Sequence, residues 1–351
     1  MTYTFEKTDI KELTKDQLIS WLKQKNIAPF RAGQIMKWVY LHQADQFEQM
    51  TDLGKDIRVL LSEHFSIQRL NVQNCEISKD GSVKNLLKLQ DGNLIESVLI
   101  PEKNHYTLCI SSQAGCALGC KFCLTAQNGF TRNLTMGEII AQVRDPVKTI
   151  KSDDTRRLTN IVFMGMGEPL ANYKNVVNAL SIITDSDFGL KMSTRRITIS
   201  TAGLIEKFPN LDQDTGVNLA VSLNAADNKT RDMLMPINKK YPIEALLDAC
   251  KKYPLRPRRR ITFEYILIQG INDSVKDAEN LAKLLQKVKA KVNLIPFNEH
   301  RQSPFKRPDE SAIHKFQDIL VNKNLTAVIR YSKGLDISAA CGQLSAKETV
   351  F

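Results

Sequence analysis

The stretch Tyr106-Thr-Leu-Cys-Ile-Ser111 leads, through Ser112-Gln-Ala-Gly115, into Cys116-Ala-Leu-Gly-Cys120-Lys-Phe-Cys123. Its first part has the apolar alternation of a β-strand. Its second part packs three thiols into a short loop with C-x3-C-x2-C spacing. A strand that ends in a cluster of ligand-capable side chains is expected where a βα loop carries a cofactor at the catalytic end of a barrel.

Downstream, the same rhythm repeats. Strands are expected at Asn160–Met164, Arg196–Ser200, Asn218–Leu223, Arg260–Ile268, Lys291–Pro296 and Ala327–Tyr331, with amphipathic stretches at 135–150, 172–184, 243–253, 275–288 and 309–324. Strands alternating with helices of this length predict an α/β fold with a parallel sheet, closed or partly closed into a barrel. Upstream, residues 11–65 read as helical. Thr14 and Gln17 have capping-box spacing, and a second helix is expected over Arg31–His42. Short apolar runs at 84–89 and 94–100 predict accessory strands between the two. The expected division is a helical domain over 1–65, whose Trp and Tyr suit core packing as well as contact with RNA, accessory strands over 66–104, and the barrel with a C-terminal cysteine segment over 105–345.

The 351 residues carry 49 Lys and Arg against 38 Asp and Glu, a net charge of +11 that favours a polyanion over an acidic partner. The opening residues lack the pattern of a secretory signal, and no apolar run approaches the length needed to span a bilayer. A cytoplasmic protein without a membrane partner is expected. Seven cysteines, three of them clustered, suit metal or redox chemistry better than a disulfide framework. The basic loop Lys252-Tyr-Pro-Leu-Arg-Pro-Arg-Arg-Arg260 reads as a solvated connection or a phosphate contact.

Thiolates are soft ligands suited to an iron–sulfur cluster or to zinc, and both usually take four protein ligands. With only three thiols here, one iron of a [4Fe–4S] cluster on Cys116, Cys120 and Cys123 would be left open to a small molecule. Other expected strand ends also carry polar groups: Gly167 and Glu168 in Met164-Gly-Met-Gly-Glu-Pro169, then Ser200, Ser222-Leu-Asn224, and Asn298. Barrels collect their sites from the tips of several strands.

The C-x3-C-x2-C loop resembles the radical S-adenosylmethionine (SAM) superfamily. Together with Pro29-Phe-Arg-Ala-Gly-Gln34, Thr125-Ala-Gln-Asn-Gly-Phe130, Met164-Gly-Met-Gly-Glu-Pro-Leu170, Leu234-Met-Pro-Ile-Asn238 and Ala340-Cys-Gly-Gln-Leu344, it resembles the RlmN/Cfr family of adenosine methyltransferases over nearly the whole chain. The resemblance implies a partial (β/α)6 radical-SAM barrel, two SAM per turnover, and methylation of adenosine C2 in 23S rRNA and some tRNAs. It also implies a reductase or flavodoxin-type electron donor and a monomer.

By the same resemblance, Cys341 becomes S-methylcysteine, and Cys109 resolves the RNA adduct through a transient disulfide with Cys341. Glu96 accepts the C2 proton, and Gly167, Glu168, Ser200, Ser222, Leu223, Asn224 and Asn298 contact SAM. Asn224 stands where relatives usually carry His. Cys75 and Cys250 match no motif and read as small buried apolar residues. Two rivals remain: adenosine-C8 methylation, as in the Cfr branch, and a non-catalytic basic RNA-binding protein with a structural metal. A thiol–disulfide oxidoreductase lacks the usual C-x-x-C helix start.

Overall fold

The computed structural model describes residues 7–147, 155–300 and 302–346. Ten strands form one sheet: β1 (Asn71–Ile77), β2 (Val83–Lys88), β3 (Leu94–Pro101), β4 (His105–Cys109), β5 (Arg157–Phe163), β6 (Ile197–Thr201), β7 (Asn218–Ser222), β8 (Ile261–Leu267), β9 (Ala290–Pro296) and β10 (Ala327–Ile329). They lie side by side in chain order. The pairs from β1 to β4 are antiparallel, and those from β4 to β10 are parallel. This is the expected partial barrel, extended by the short strand β10.

Parallel neighbours need crossover connections, and the amphipathic stretches supply them. The helices are Met136–Val147, Tyr173–Thr184, Ile243–Lys252, Val275–Leu285 and Glu310–Asn322. The end of the expected helix 135–150 lies outside the described residues, as do residues 1–6 of the expected first domain. A short helix over Phe208–Thr215 was not expected, because its polar sequence FPNLDQDT offers little apolar periodicity.

Three N-terminal helices, Lys15–Gln24, Arg31–Tyr40 and Lys55–His64, confirm the helical reading. The Thr14–Gln17 capping box is formed. These helices are joined to the barrel by Arg144, which is fully buried. Its guanidinium donates to the carbonyls of Val39 at 2.8 Å and Ala44 at 2.6 Å. Buried apolar side chains from Ile10 to Leu344 make one continuous core. Among the described residues no helix is long and apolar enough to cross a membrane.

Strand β1 was missed for a physical reason. It is an edge strand whose residues are almost all exposed, so it has no apolar face to read. Cys75 lies on it and is exposed, which corrects the buried reading of that residue; Cys250 is buried as expected.

Candidate active site

In a parallel sheet all carboxyl ends point to one rim, so the strand tips meet there. The cysteine loop follows β4 and is framed by a small hairpin, Gln113–Gly115 with Phe130–Asn133. A second apolar cluster surrounds it, including Phe122, Leu234, Met235, Ile268 and Phe297. Cys116 and Cys120 are buried and Cys123 is half-buried. Burial pushes all three thiols up, Cys116 to about 12. Thiolates there need a cation in the cavity to be stable.

That cavity has a volume of about 150 Å³. It is lined by the three thiols and by Gly167, Glu168, Ser200, Ser222, Asn224, Glu264 and Cys341, among others. Among the described residues no three His, Cys, Asp or Glu side chains are arranged to hold a single metal ion. Three soft sulfur donors on the wall of a shared cavity fit a larger group such as a cluster.

The glycine segment after β5 is stitched to the end of β4. The Gly165 N–H donates to the Ile110 carbonyl at 3.1 Å, and the Met166 N–H to Ser111 Oγ at 2.8 Å. Gly167 has a φ of 95°, and a side chain there would lie 2.5 Å from Gln113 Cβ. Glycine is required by conformation and by space. Glu168 is buried, and desolvation raises its carboxyl to about 7 against the hydrogen bonds it accepts. Both of its oxygens already accept backbone N–H groups, Leu170 at 3.0 Å and Ala202 at 2.8 Å.

Asn224 occupies the left-handed region with φ 57°, a conformation that Asn and His both tolerate better than most residues. Its Oδ1 accepts the Ile266 N–H at 2.8 Å, so its side chain ties β7 to β8 as well as lining the cavity. Leu223 and Asn298 do not line the cavity. Leu223 is fully buried and its carbonyl accepts from Arg231 at 3.1 Å. Asn298 donates to Ser332 Oγ at 2.9 Å and to the Cys341 carbonyl at 3.1 Å, so it positions the cysteine segment.

Cys341 is exposed but crowded by protein; desolvation first, and the Glu264 charge second, push its thiol up to about 11. Gly342 beside it has φ 84°, and a Cβ there would lie 2.9 Å from the Phe122 carbonyl, so the segment packs directly on the cysteine loop. Cys109 is buried at the end of β4, and its thiol is raised first by burial and next by the charge of Cys341. Both are free thiols, so the disulfide expected from the resemblance is not formed here. Glu96 on β3 is buried. Its carboxylate lies 3.7 Å from Lys84 Nζ.

Two residues escaped the sequence reading. Glu264 is buried in the middle of β8 and lines the cavity; desolvation raises its carboxyl to about 7, opposed by the Asn293 amide at 3.0 Å. The signal was a lone carboxylate in the apolar run Ile261-Thr-Phe-Glu-Tyr-Ile-Leu267. Arg231 is fully buried and donates to the carbonyls of Ala202 at 2.8 Å, Ser222 at 3.2 Å and Leu223 at 3.1 Å, fastening the tips of β6 and β7. Nothing in the local sequence marks it. The basic loop before β8 lies at the opposite rim, where Arg256 pairs with Asp212 and Arg259 donates to the Gly216 carbonyl.

Residues 8–67 match the model of the ribosomal RNA large subunit methyltransferase N-terminal domain, and residues 110–285 match that of the radical SAM superfamily. The chain is 58% identical over 338 residues to the dual-specificity RNA methyltransferase RlmN of Desulfosudis oleivorans, covering 96% of this chain and 91% of that protein. The chain belongs to the RlmN family of radical SAM methyltransferases. An RlmN of Geotalea uraniireducens is 50% identical, with 97% of this chain and 98% of that one covered. In structure, a radical SAM methyltransferase from Sphaerobacter thermophilus superposes with a TM-score of 0.91 at 41% identity, covering 97% of this chain and 100% of that one. RlmN membership brings with it a [4Fe–4S] cluster and SAM, and the cysteine-lined cavity suits both.

Proposed function

We propose that this RlmN-family enzyme methylates C2 of adenosine in 23S rRNA and in certain tRNAs, with a [4Fe–4S] cluster on Cys116, Cys120 and Cys123 and two SAM per turnover. The observation that carries the proposal is one cavity lined by the three clustered thiols together with Cys341. When bound, the cluster and SAM supply an alkyl radical able to take hydrogen from an S-methyl group, which an unreactive adenine C–H bond requires.

The chain's own groups take the remaining tasks. Cys341 receives the methyl group and presents it, and Asn298 and Gly342 hold its backbone toward the cysteine loop. Cys109, within electrostatic reach of Cys341, attacks its sulfur as a thiolate; an S–S bond forms as the S–C bond to the RNA breaks, the carbon keeps the electron pair and takes up a proton, and the electron donor then reduces the disulfide. Glu96 accepts the C2 proton, on a strand directly paired with that of Cys109. Gly167 gives SAM close access to backbone, and Glu168, Ser200, Ser222 and Asn224 line its chamber. Leu223 and Asn298 contact SAM beside that chamber, and Asn298 also holds the cysteine segment. The proposal includes the helical domain 1–65 as an RNA contact, the accessory strands 66–104, the barrel 105–345, a cytoplasmic monomer, and electrons from a reductase or flavodoxin-type protein.

The test is anaerobic incubation of iron-loaded protein with RNA, SAM and reductant, followed by mass spectrometry of the nucleosides. 2-Methyladenosine is expected. 8-Methyladenosine would move the chain to the Cfr branch, and a colourless, zinc-containing protein would remove the cluster.

A further inference from the structure

Residues 342–346, just after Cys341, are held by groups from distant parts of the chain. The Leu124 N–H donates to the Gly342 carbonyl at 2.8 Å, Thr125 Oγ1 to the Leu344 carbonyl at 2.7 Å, and Asn128 Nδ2 to the Ser345 carbonyl at 3.0 Å. These ties all come from the cysteine loop and the single helical turn after it. The tie at the far end is different. Glu96 Oε2 accepts the backbone N–H groups of Ser345 at 2.7 Å and of Ala346 at 3.1 Å.

Glu96 has little freedom of its own. Its carbonyl accepts from Ser111 Oγ at 2.6 Å, its N–H points to the Met166 sulfur at 3.3 Å, and Lys84 Nζ lies on the Oε1 side at 3.7 Å. Lys84 is itself buried and also paired with Glu76 at 3.1 Å. A carboxylate anchored in this way, with a cation on one oxygen and two N–H donors on the other, makes strong charge-assisted bonds to the strap.

We propose that Glu96 is a positioning residue that latches the C-terminal strap carrying Cys341, and that it gives up Ser345 and Ala346 when RNA enters. The latch in the free protein stands independently of the proposed function. The handover to RNA rests on the reading of Glu96 as proton acceptor, because the oxygen engaged by the strap is withheld from a substrate proton.

The test reads the RNA-free protein first. Hydrogen exchange of the amides at 342–346, and alkylation of Cys341 by iodoacetamide followed by peptide mass, are compared in native, Glu96→Gln and Glu96→Ala protein. Glu96→Ala is expected to speed both by about tenfold or more, and Glu96→Gln by less, because a neutral acceptor replaces a charged one. Alkylation of Cys250, buried in the helix Ile243–Lys252, is expected to stay slow, which a general loosening of the fold would not allow. Ser345→Pro removes the 2.7 Å donor without touching Glu96, and it covers the case in which Glu96→Ala does not fold. Native rates in both Glu96→Ala and Ser345→Pro overturn the latch.

Addition of a 23S rRNA fragment to native enzyme is then expected to raise exchange at 345–346. Unchanged protection there while RNA is methylated overturns the handover. Absence of any methylation instead counts against the proposed function and leaves the latch to the RNA-free result.

Discussion

The active site is made of two halves that are built differently. The barrel half consists of strand tips in a parallel sheet, fastened by Arg231. The other half consists of the antiparallel strand β3 and the strap of Cys341, joined across 249 residues by the Glu96 contact to Ser345. Their buried carboxylates make the difference plain. Glu96 has a lysine and two N–H donors, whereas the Glu264 carboxylate accepts from the Asn293 amide, and burial raises it to about 7 against that bond and the charges of Arg330 and Lys291. Strands that are buried on both faces offer few charged partners, while an antiparallel accessory sheet near an edge can bring in a lysine. The chamber is therefore part of the core, and the segment of Cys341 is an attachment to it.

The sharpest way to break this contrast is to separate cofactor from cysteine. Replacing Cys116, Cys120 and Cys123 with Ala is expected to abolish both iron content and methylation. Cys341→Ala is expected to abolish methylation while keeping iron and its electron paramagnetic resonance signal. Loss of iron in Cys341→Ala would make that thiol a fourth ligand and merge the two halves. In the same series, Cys109→Ala is expected to accumulate RNA joined covalently to Cys341, seen as a shifted protein band that ribonuclease removes.

Arg231→Ala leaves several buried carbonyls of the strand tips without donors, and is expected to destabilise the barrel half by about 3 kcal/mol in denaturant unfolding. A loss below about 1 kcal/mol would mean that the tips hold themselves.

The Glu264 carboxyl gives a pH signature. It sits at about 7 in the fold, above its ordinary 4.5, so between those values the folded state keeps a proton that the unfolded chain has lost. Stability from this group is present below the lower value and is lost as pH rises through the upper one, by up to about 3 kcal/mol. Iron-free protein is expected to melt progressively lower across that window, and Glu264→Gln to reduce the fall. An identical slope in the variant would remove Glu264 as its source. The smallest effect is expected for Cys75→Ser on the exposed edge strand, within about 0.5 kcal/mol of native.

Much of the architecture was legible because periodicity reports burial. The β4–β9 run and most of its crossover helices are legible to within a few residues, and the capping box at Thr14 follows from spacing. Strand β1 and the helix Phe208–Thr215 were not, since neither has an apolar rhythm. The cysteine loop and the glycine segment were legible because their spacing and composition are local. Arg231 and Glu264 were not singled out, because a buried charge is defined by what surrounds it. Leu223 and Asn298 lie beside the cavity, where Asn298 also donates to the Cys341 carbonyl, a contact that local spacing does not reveal.

By itself the sequence determined the three-thiol loop, the parallel βα order and the membership of Cys341 in a family motif. All of these are properties of neighbouring residues or of repeated spacing. Only the tertiary structure decided that Cys341 shares a cavity with the loop more than two hundred residues earlier, and that Glu96 holds the strap beyond it. Contacts at such separation arise from how the sheet curls and where the chain end lies, and local spacing carries no record of either.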